Sequence, residues 1–246
     1  MPHTMTLSVR RVLAVLLLGT LGCSSDLILP PSNDGTQVAA LNKLWDDRQA
    51  GPVGEELSAP LIVEVLTQNE EPAIGVEVTF EVTDPVGGTV TPTTAKTNSE
   101  GQAVAHWTFG AVPGFYTVVA RLAAVEGDTA GLDRVAEFHA SAHAGEPDTL
   151  SPLIPLLQPG ARGEAVRDRP QVRVVDRFGN PVAGVPVAWQ VTAGDGRVSS
   201  AITTTDAEGK ASVDWTLGNR IGFHKLTAAI ENATGSPIVF LAQVFL

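Results

Sequence analysis

Cysteine is nearly absent: Cys23 is the one thiol in 246 residues, so no disulfide can close within the chain. Aromatic residues are scarce at 5%, while 24 Gly and 17 Pro are present, a mixture that favours short strands and turns over long helices. Cations are few, with 16 Lys and Arg against 27 Asp and Glu and a formal charge of −11. A phosphate-binding surface needs clustered Lys and Arg, so nucleic acid is excluded as a partner. No apolar run reaches the roughly 18 to 20 residues that a membrane-spanning helix requires, and no segment beyond the N-terminus keeps a long 3.6-residue apolar period. What is present, 43% apolar residues over this length, suffices for one or two ordinary cores.

The N-terminus has the layout of an export signal. Arg10 and Arg11 precede the run Val12-Leu13-Ala14-Val15-Leu16-Leu17-Leu18, which leads to Gly19-Thr20-Leu21-Gly22-Cys23. This setting resembles the lipobox of bacterial lipoproteins, in which a small residue precedes a cysteine that is lipidated and becomes the new N-terminus. Gly22 and Cys23 match; Thr20 stands where the usual leucine would be. The resemblance implies a signal over residues 1–22, lipid attachment at Cys23 and, with Ser24 next, sorting to the outer membrane. An ordinary signal cut nearby, leaving a spare thiol, is the other reading. Several acyl chains on one cysteine give the stable anchoring that a single chain does not. Residues 23–40, polar and rich in Pro, Ser, Asn and Asp, read as a flexible tether.

The remainder is a repeat. Pro72-Ala73-Ile74-Gly75-Val76-Glu77-Val78-Thr79-Phe80-Glu81-Val82-Thr83 aligns with Pro181-Val182-Ala183-Gly184-Val185-Pro186-Val187-Ala188-Trp189-Gln190-Val191-Thr192 at an offset of 109. Gly101 to Gly110 then aligns with Gly209 to Gly218 at 108, and Gly114-Phe115 with Gly222-Phe223. Each block alternates with a period of two, the mark of half-buried strands. Val76, Val78, Phe80 and Val82 are expected inward, as are Ala103, Ala105, Trp107 and Phe109, then Tyr116, Val118, Ala120 and Leu122. In the second copy the same rows are Val185 to Val191, Ala211 to Leu217 and His224 to Ile230. Turn signals separate them, among them Asn98-Ser99-Glu100-Gly101 and Asp206-Ala207-Glu208-Gly209. The expectation is all-β: two tandem immunoglobulin-like sandwiches, residues 41–143 and 144–246, each of two antiparallel sheets.

Both copies resemble bacterial immunoglobulin-like domains of group one, the invasin and intimin type. The resemblance is carried by Gly179 to Val191 (GNPVAGVPVAWQV), Gly194-Asp195-Gly196, Thr203-Thr204-Thr205 and Gly209 to Gly218 (GKASVDWTLG). The first copy keeps Gly75, Gly87, Gly88, Thr97, Gly101, Trp107 and Gly114, but has Glu70-Glu71 where the second has Gly179-Asn180. The likeness implies the stalk of such proteins; their outer-membrane barrel and lectin-like tip have no counterpart in these residues.

Catalytic constellations are not visible. No Gly-x-Ser-x-Gly elbow is present, and His106 falls at an outward strand position. His139 and His143 precede Glu146 and Asp148, but that spacing matches no zinc pattern. Asp195, Asp206 and Glu208 fit turns better than a calcium loop. Paired acids such as Asp46-Asp47, Glu55-Glu56 and Glu70-Glu71 read as solubilising charge. Trp107, Trp215 and Trp189 run in phase with core residues; Trp45 is either an exposed aromatic or part of a first strand. The expectation is therefore a non-catalytic envelope protein with no cofactor and no metal, held to a membrane through its lipidated N-terminus. It would act as a structural stalk or as an adhesion or protein-interaction module, its protein or glycan partner facing the cell exterior or the periplasm. A carbohydrate- or matrix-binding accessory lipoprotein is the alternative.

Overall fold

The computed structural model describes residues 38–44, 48–122 and 134–245. The expected signal, Cys23, most of the tether and Trp45 lie outside the described residues. The first copy forms β1 (Val38–Lys43), β2 (Gln49–Pro52), β3 (Leu61–Thr67), β4 (Glu77–Val82), β5 (Thr89–Thr91), β6 (Thr94–Lys96), β7 (Gln102–Thr108), β8 (Gly114–Leu122) and β9 (Val135–His143). They pair as two sheets, β1-β3-β7-β5 and β2-β9-β8-β4-β6. The second copy forms β10 (Thr149–Pro152), β11 (Leu157–Gly160), β12 (Gln171–Val175), β13 (Pro186–Ala193), β14 (Arg197–Val198), β15 (Ile202–Thr204), β16 (Lys210–Ser212), β17 (Trp215–Thr216), β18 (Gly222–Ala229) and β19 (Ile238–Val244). Its large sheet, β11-β19-β18-β13-β15, repeats the first; β10-β12-β16 and the pair β14-β17 make the opposing layer. The fold is all-β, as the two-residue periods require.

Each sandwich has its own core. Leu61, Val63, Val78, Phe80, Trp107 and Val118 meet in the first, and Val172, Val187, Trp189, Trp215, Leu226 and Phe240 in the second. The expected inward rows are inward: Trp107 is 1% exposed and Trp215 fully buried, while Glu77, Thr79 and Glu81 between the core residues of β4 face out. Trp107 packs edge-on to Phe109 at 5.3 Å and its Nε1 donates to the Gly87 carbonyl at 3.0 Å. The next inward row shows a conserved device with changed chemistry. The Tyr116 hydroxyl donates to the carbonyl of Val112, four residues upstream, at 2.8 Å; His224 at the matching place puts Nε2 3.0 Å from the carbonyl of Arg220.

The sheets are not purely antiparallel, which corrects the expectation. β2 runs parallel to β9 and β11 parallel to β19. The reason is a change of sheet early in each copy: β1 and β10 pair within one layer, and the chain then crosses to the other. The crossing is fixed by a buried amide. Gln158 is 5% exposed, with Nε2 donating to the Asp168 carbonyl at 2.8 Å and Oε1 accepting from Asp168 N at 2.9 Å. Gln49 does the same to Ala59 at 3.0 and 3.1 Å. A side chain that satisfies both backbone groups of one residue replaces a rung of sheet ladder.

Turns repeat as closely as strands. Asn98 Oδ1 accepts from Glu100 N and Gln102 N, both at 2.9 Å; Asp206 Oδ1 accepts from Glu208 N at 3.0 Å and Lys210 N at 2.8 Å. Gly101 and Gly209 follow at φ 73° and 72°. A Cβ on Gly101 would come within 2.7 Å of the Val65 carbonyl, so only glycine fits there. The turn at Glu70-Glu71, despite its different residues, has the geometry of its counterpart. Glu70 takes φ 61° where Gly179 has 87°, and each donates its N–H to the carbonyl three residues back, Thr67 or Asp176, at 3.0 Å.

Candidate functional site: the junction of the two sandwiches

No described residues assemble a site of the catalytic kind. His106 Nδ1 lies 2.8 Å from Glu56 Oε1 on an exposed strand face. His139 Nδ1 meets Thr117 Oγ1 at 3.0 Å, and His143 Nδ1 meets the Ala144 carbonyl at 2.9 Å. Asp148 accepts from Thr149 Oγ1 at 2.8 Å. Among the described residues no three His, Cys, Asp or Glu side chains gather closely enough to hold a metal, and no helix is long and apolar enough to cross a membrane. Asp195 caps the loop before β18, its carboxylate oxygens accepting from Asn219 N at 3.3 Å and Arg220 N at 3.4 Å. Desolvation would raise its pKa, but these hydrogen bonds and the nearby Arg220 charge hold it below the ordinary carboxylate value.

The densest polar constellation instead joins the two copies, in the turn Asp176-Arg177-Phe178-Gly179-Asn180 between β12 and β13. Asp176 is 2% exposed, and its carboxylate accepts four hydrogen bonds. Oδ1 takes the N–H groups of Phe178 and Asn180, both at 2.9 Å. Oδ2 takes the Asn180 side-chain amide and the N–H of Gly145, again at 2.9 Å. Gly145 belongs to the segment linking β9 to β10, so one buried carboxylate ties the linker to the second sandwich. Burial alone would push the Asp176 carboxyl up; the four hydrogen bonds to its charged form more than offset this and hold it below the usual range.

Contacts to the first sandwich come from the same turn. The Asn180 amide also donates to the Ala111 carbonyl at 2.8 Å, and Arg177 Nη2 reaches the Gly54 carbonyl at 3.4 Å. Arg177 lies over the Phe178 ring, 4.7 Å from its centre. Gly54, at φ 73°, lets that ring approach: a Cβ there would lie 2.5 Å from Phe178 Cζ. Beside the turn, Pro113, His143, Pro181, Val182 and Ala207 line an open crevice between the sandwiches. Two sandwiches joined through a turn whose charged acceptor holds the linker, and whose Asn180 and Arg177 reach the neighbour, cannot swing as freely as on a bare linker.

The corresponding turn of the first copy lacks these parts. Thr67 stands for Asp176 and accepts only from Glu71 N, at 3.2 Å, and Gln68 and Asn69 stand for Arg177 and Phe178. The clamp is therefore particular to the second copy. Sequence reasoning identified this turn by its Gly179-Asn180 and Pro181 but missed the linker contact. The one signal was an acid at the end of an inward row, where a solvated turn needs none. It likewise missed Thr97 and Thr205. Both are buried, with Oγ1 donating to Ala73 O at 2.6 Å and Val182 O at 2.7 Å, and accepting from Val76 N and Val185 N at 2.9 Å.

Residues 167–240 match the family model of the bacterial Ig-like domain, group 1. No curated protein sequence matches the chain. Among solved structures, FdeC, an Escherichia coli adhesin, aligns at 19% identity and TM-score 0.52, over 85% of this chain and 64% of that structure, which establishes a shared fold. InvD of Yersinia pseudotuberculosis aligns at 15% identity and TM-score 0.45, over 85% of this chain and 57% of that one. Invasin, a bacterial integrin-binding protein, aligns at 18% identity and TM-score 0.38, over 83% of this chain and 39% of its own. The chain thus spans less than two thirds of each of these structures.

Proposed function

We propose that this tandem of Ig-like sandwiches is a non-catalytic module of the bacterial cell envelope, exported, anchored by lipid at Cys23 and acting as a short stalk or adhesion element. The observation that carries the reading is the junction. The chain places its most elaborate polar constellation between the sandwiches, where it restricts their relative motion, and a spacer that presents surface at a distance needs that property. The matched Ig-like family and the fold shared with an adhesin support the same reading. Anchoring rests on Gly22-Cys23 behind an apolar run too short to span a bilayer. The partner is a protein or a glycan met through loops or strand edges.

The test is protease accessibility on intact source cells, with Cys23→Ser as control. Digestion of the protein on intact cells, with loss of the Cys23→Ser form from the membrane fraction, is expected. Protection until the outer membrane is opened would overturn surface display and point to a periplasm-facing lipoprotein. Equal membrane retention of the Cys23→Ser form would overturn the anchor.

A further inference from the structure

The two large sheets share one strand order, yet their outer faces differ in charge. Tyr116 pairs with Ala140 as His224 pairs with Ala242, so Glu137, His139 and His143 on β9 correspond to Val239, Leu241 and Phe245 at the β19 edge. Glu77 pairs with Lys96 as Pro186 pairs with Thr204. Glu81 and Arg121 correspond to Gln190 and Ala229. Each charged side chain of the first face has thus been exchanged for an uncharged one, and the second face keeps a single charge, Lys225. Large apolar groups stand in the open there: Leu157 and Phe223 are each 53% exposed, Phe245 60% and Val239 39%. Leu157 lies directly beside Leu241 across the parallel pair.

Charge divides between the copies in the same way. Residues 41–143 hold 15 acids against 5 bases, and residues 144–246 hold 10 against 9. Two molecules of this chain therefore repel through their first sandwiches and can approach only through the second. A flat sheet face bearing no acid and a row of exposed Leu, Val and Phe is where such an approach gains most.

We propose that the outer face of the β11-β19-β18-β13-β15 sheet is the contact surface for a second copy of this chain, packed face to face about a two-fold axis. Its strands, of four, seven, eight, eight and three residues in sheet order and about 4.8 Å apart, give a footprint of roughly 480 Å² on each copy. The buried total of about 960 Å² falls in the small class of weak, transient interfaces, as suits a reversible dimer. An isologous contact of this kind closes at two and presents both first sandwiches to other partners.

The test is sedimentation velocity of the full chain carrying Cys23→Ser, which removes any acyl contribution to association. Dimerisation at micromolar concentration is expected. It should strengthen as salt rises from about 0.05 to about 0.5 M, because the net repulsion between copies is screened while no cross-face ion pair is lost. Val239→Glu with Leu241→His installs the residues that the first copy carries at these places, on outward positions of β19, one exposed and one half-buried beside Leu157. This variant should keep the parent's thermal midpoint and weaken the dimer by at least about 30-fold, the worth of one interface hot spot. A chain that stays monomeric at all ionic strengths overturns the proposal and leaves the face to a different protein. A dimer that survives the double substitution, or that salt dissociates, overturns it as well.

Discussion

Asp176→Asn tests the junction most directly, because it changes one atom and nothing in volume. The carboxylate faces four donors, two on each oxygen, all at 2.9 Å. Asparagine can turn its single oxygen to one pair only, and its own NH₂ must then point at the other two N–H groups in a buried site. Hydrogen bonds to a charged acceptor contribute about 1.5 to 3 kcal/mol each, so losing two while crowding donors together should cost about 3 to 5 kcal/mol. That is a large share of the 5 to 15 kcal/mol that holds a domain folded. Urea unfolding of the full chain reads the loss, and amide exchange at Gly145 and Asn180 localises it. The pH dependence gives a second handle. The folded carboxyl titrates below its unfolded value of about 3.9, so its contribution is complete above that pH and is lost as pH falls through the folded value. The gap between parent and variant should therefore be constant above pH about 5 and close as pH drops below about 4. A loss under about 1 kcal/mol, less than one ordinary hydrogen bond, or a gap that stays constant into strong acid would refute the ionised-acceptor account.

Trp215→Ala removes a fully buried indole from the second core and should cost that sandwich about 3 to 5 kcal/mol; two separated calorimetric transitions, with the first sandwich unshifted, are expected. Glu70→Gly relieves a side chain held at φ 61°. The left-handed conformation costs a non-glycine residue about 1 to 2 kcal/mol, so after the entropy lost by glycine a net gain of about 0.5 to 1 kcal/mol should appear as a higher urea midpoint. Gln158→Ala leaves both backbone groups of Asp168 without their side-chain partner and should destabilise the second sandwich by about 2 to 3 kcal/mol; faster exchange at Asp168 N–H than at neighbouring amides would locate the effect.

Strand rows and turns were legible in the sequence because both are written in short-range terms. Val78, Phe80, Trp107 and their counterparts alternate with polar neighbours, and Asn98 and Asp206 precede glycines at turn spacing. What escaped is written in contacts between distant segments. Gln49 and Gln158 look like ordinary surface amides, since their meaning lies in a backbone partner ten residues on, and so the parallel strands they introduce were read as antiparallel. Thr205 stands out in the sequence only within Thr203-Thr204-Thr205, and Thr97 only as its counterpart in the first copy. Asp176 carries no short-range sign of its role, because its hold on Gly145 depends on a linker that has no motif of its own.

The parallel pairs also decide how the chain bears a pull. A strand near the entry of each sandwich, β2 or β11, lies alongside the strand by which the chain leaves, β9 or β19, over Gln49 to Pro52 against Ala140 to His143 and Leu157 to Gly160 against Leu241 to Val244. Tension applied between entry and exit drags these neighbours past each other lengthwise. Their hydrogen bonds are then loaded together in shear, where an antiparallel hairpin pulled from its open end would peel one bond at a time. Resistance to force is a matter of the unfolding barrier and not of equilibrium stability. The side-chain amides of Gln49, half-buried, and Gln158, buried, stand at the start of each shearing pair and act as its latch.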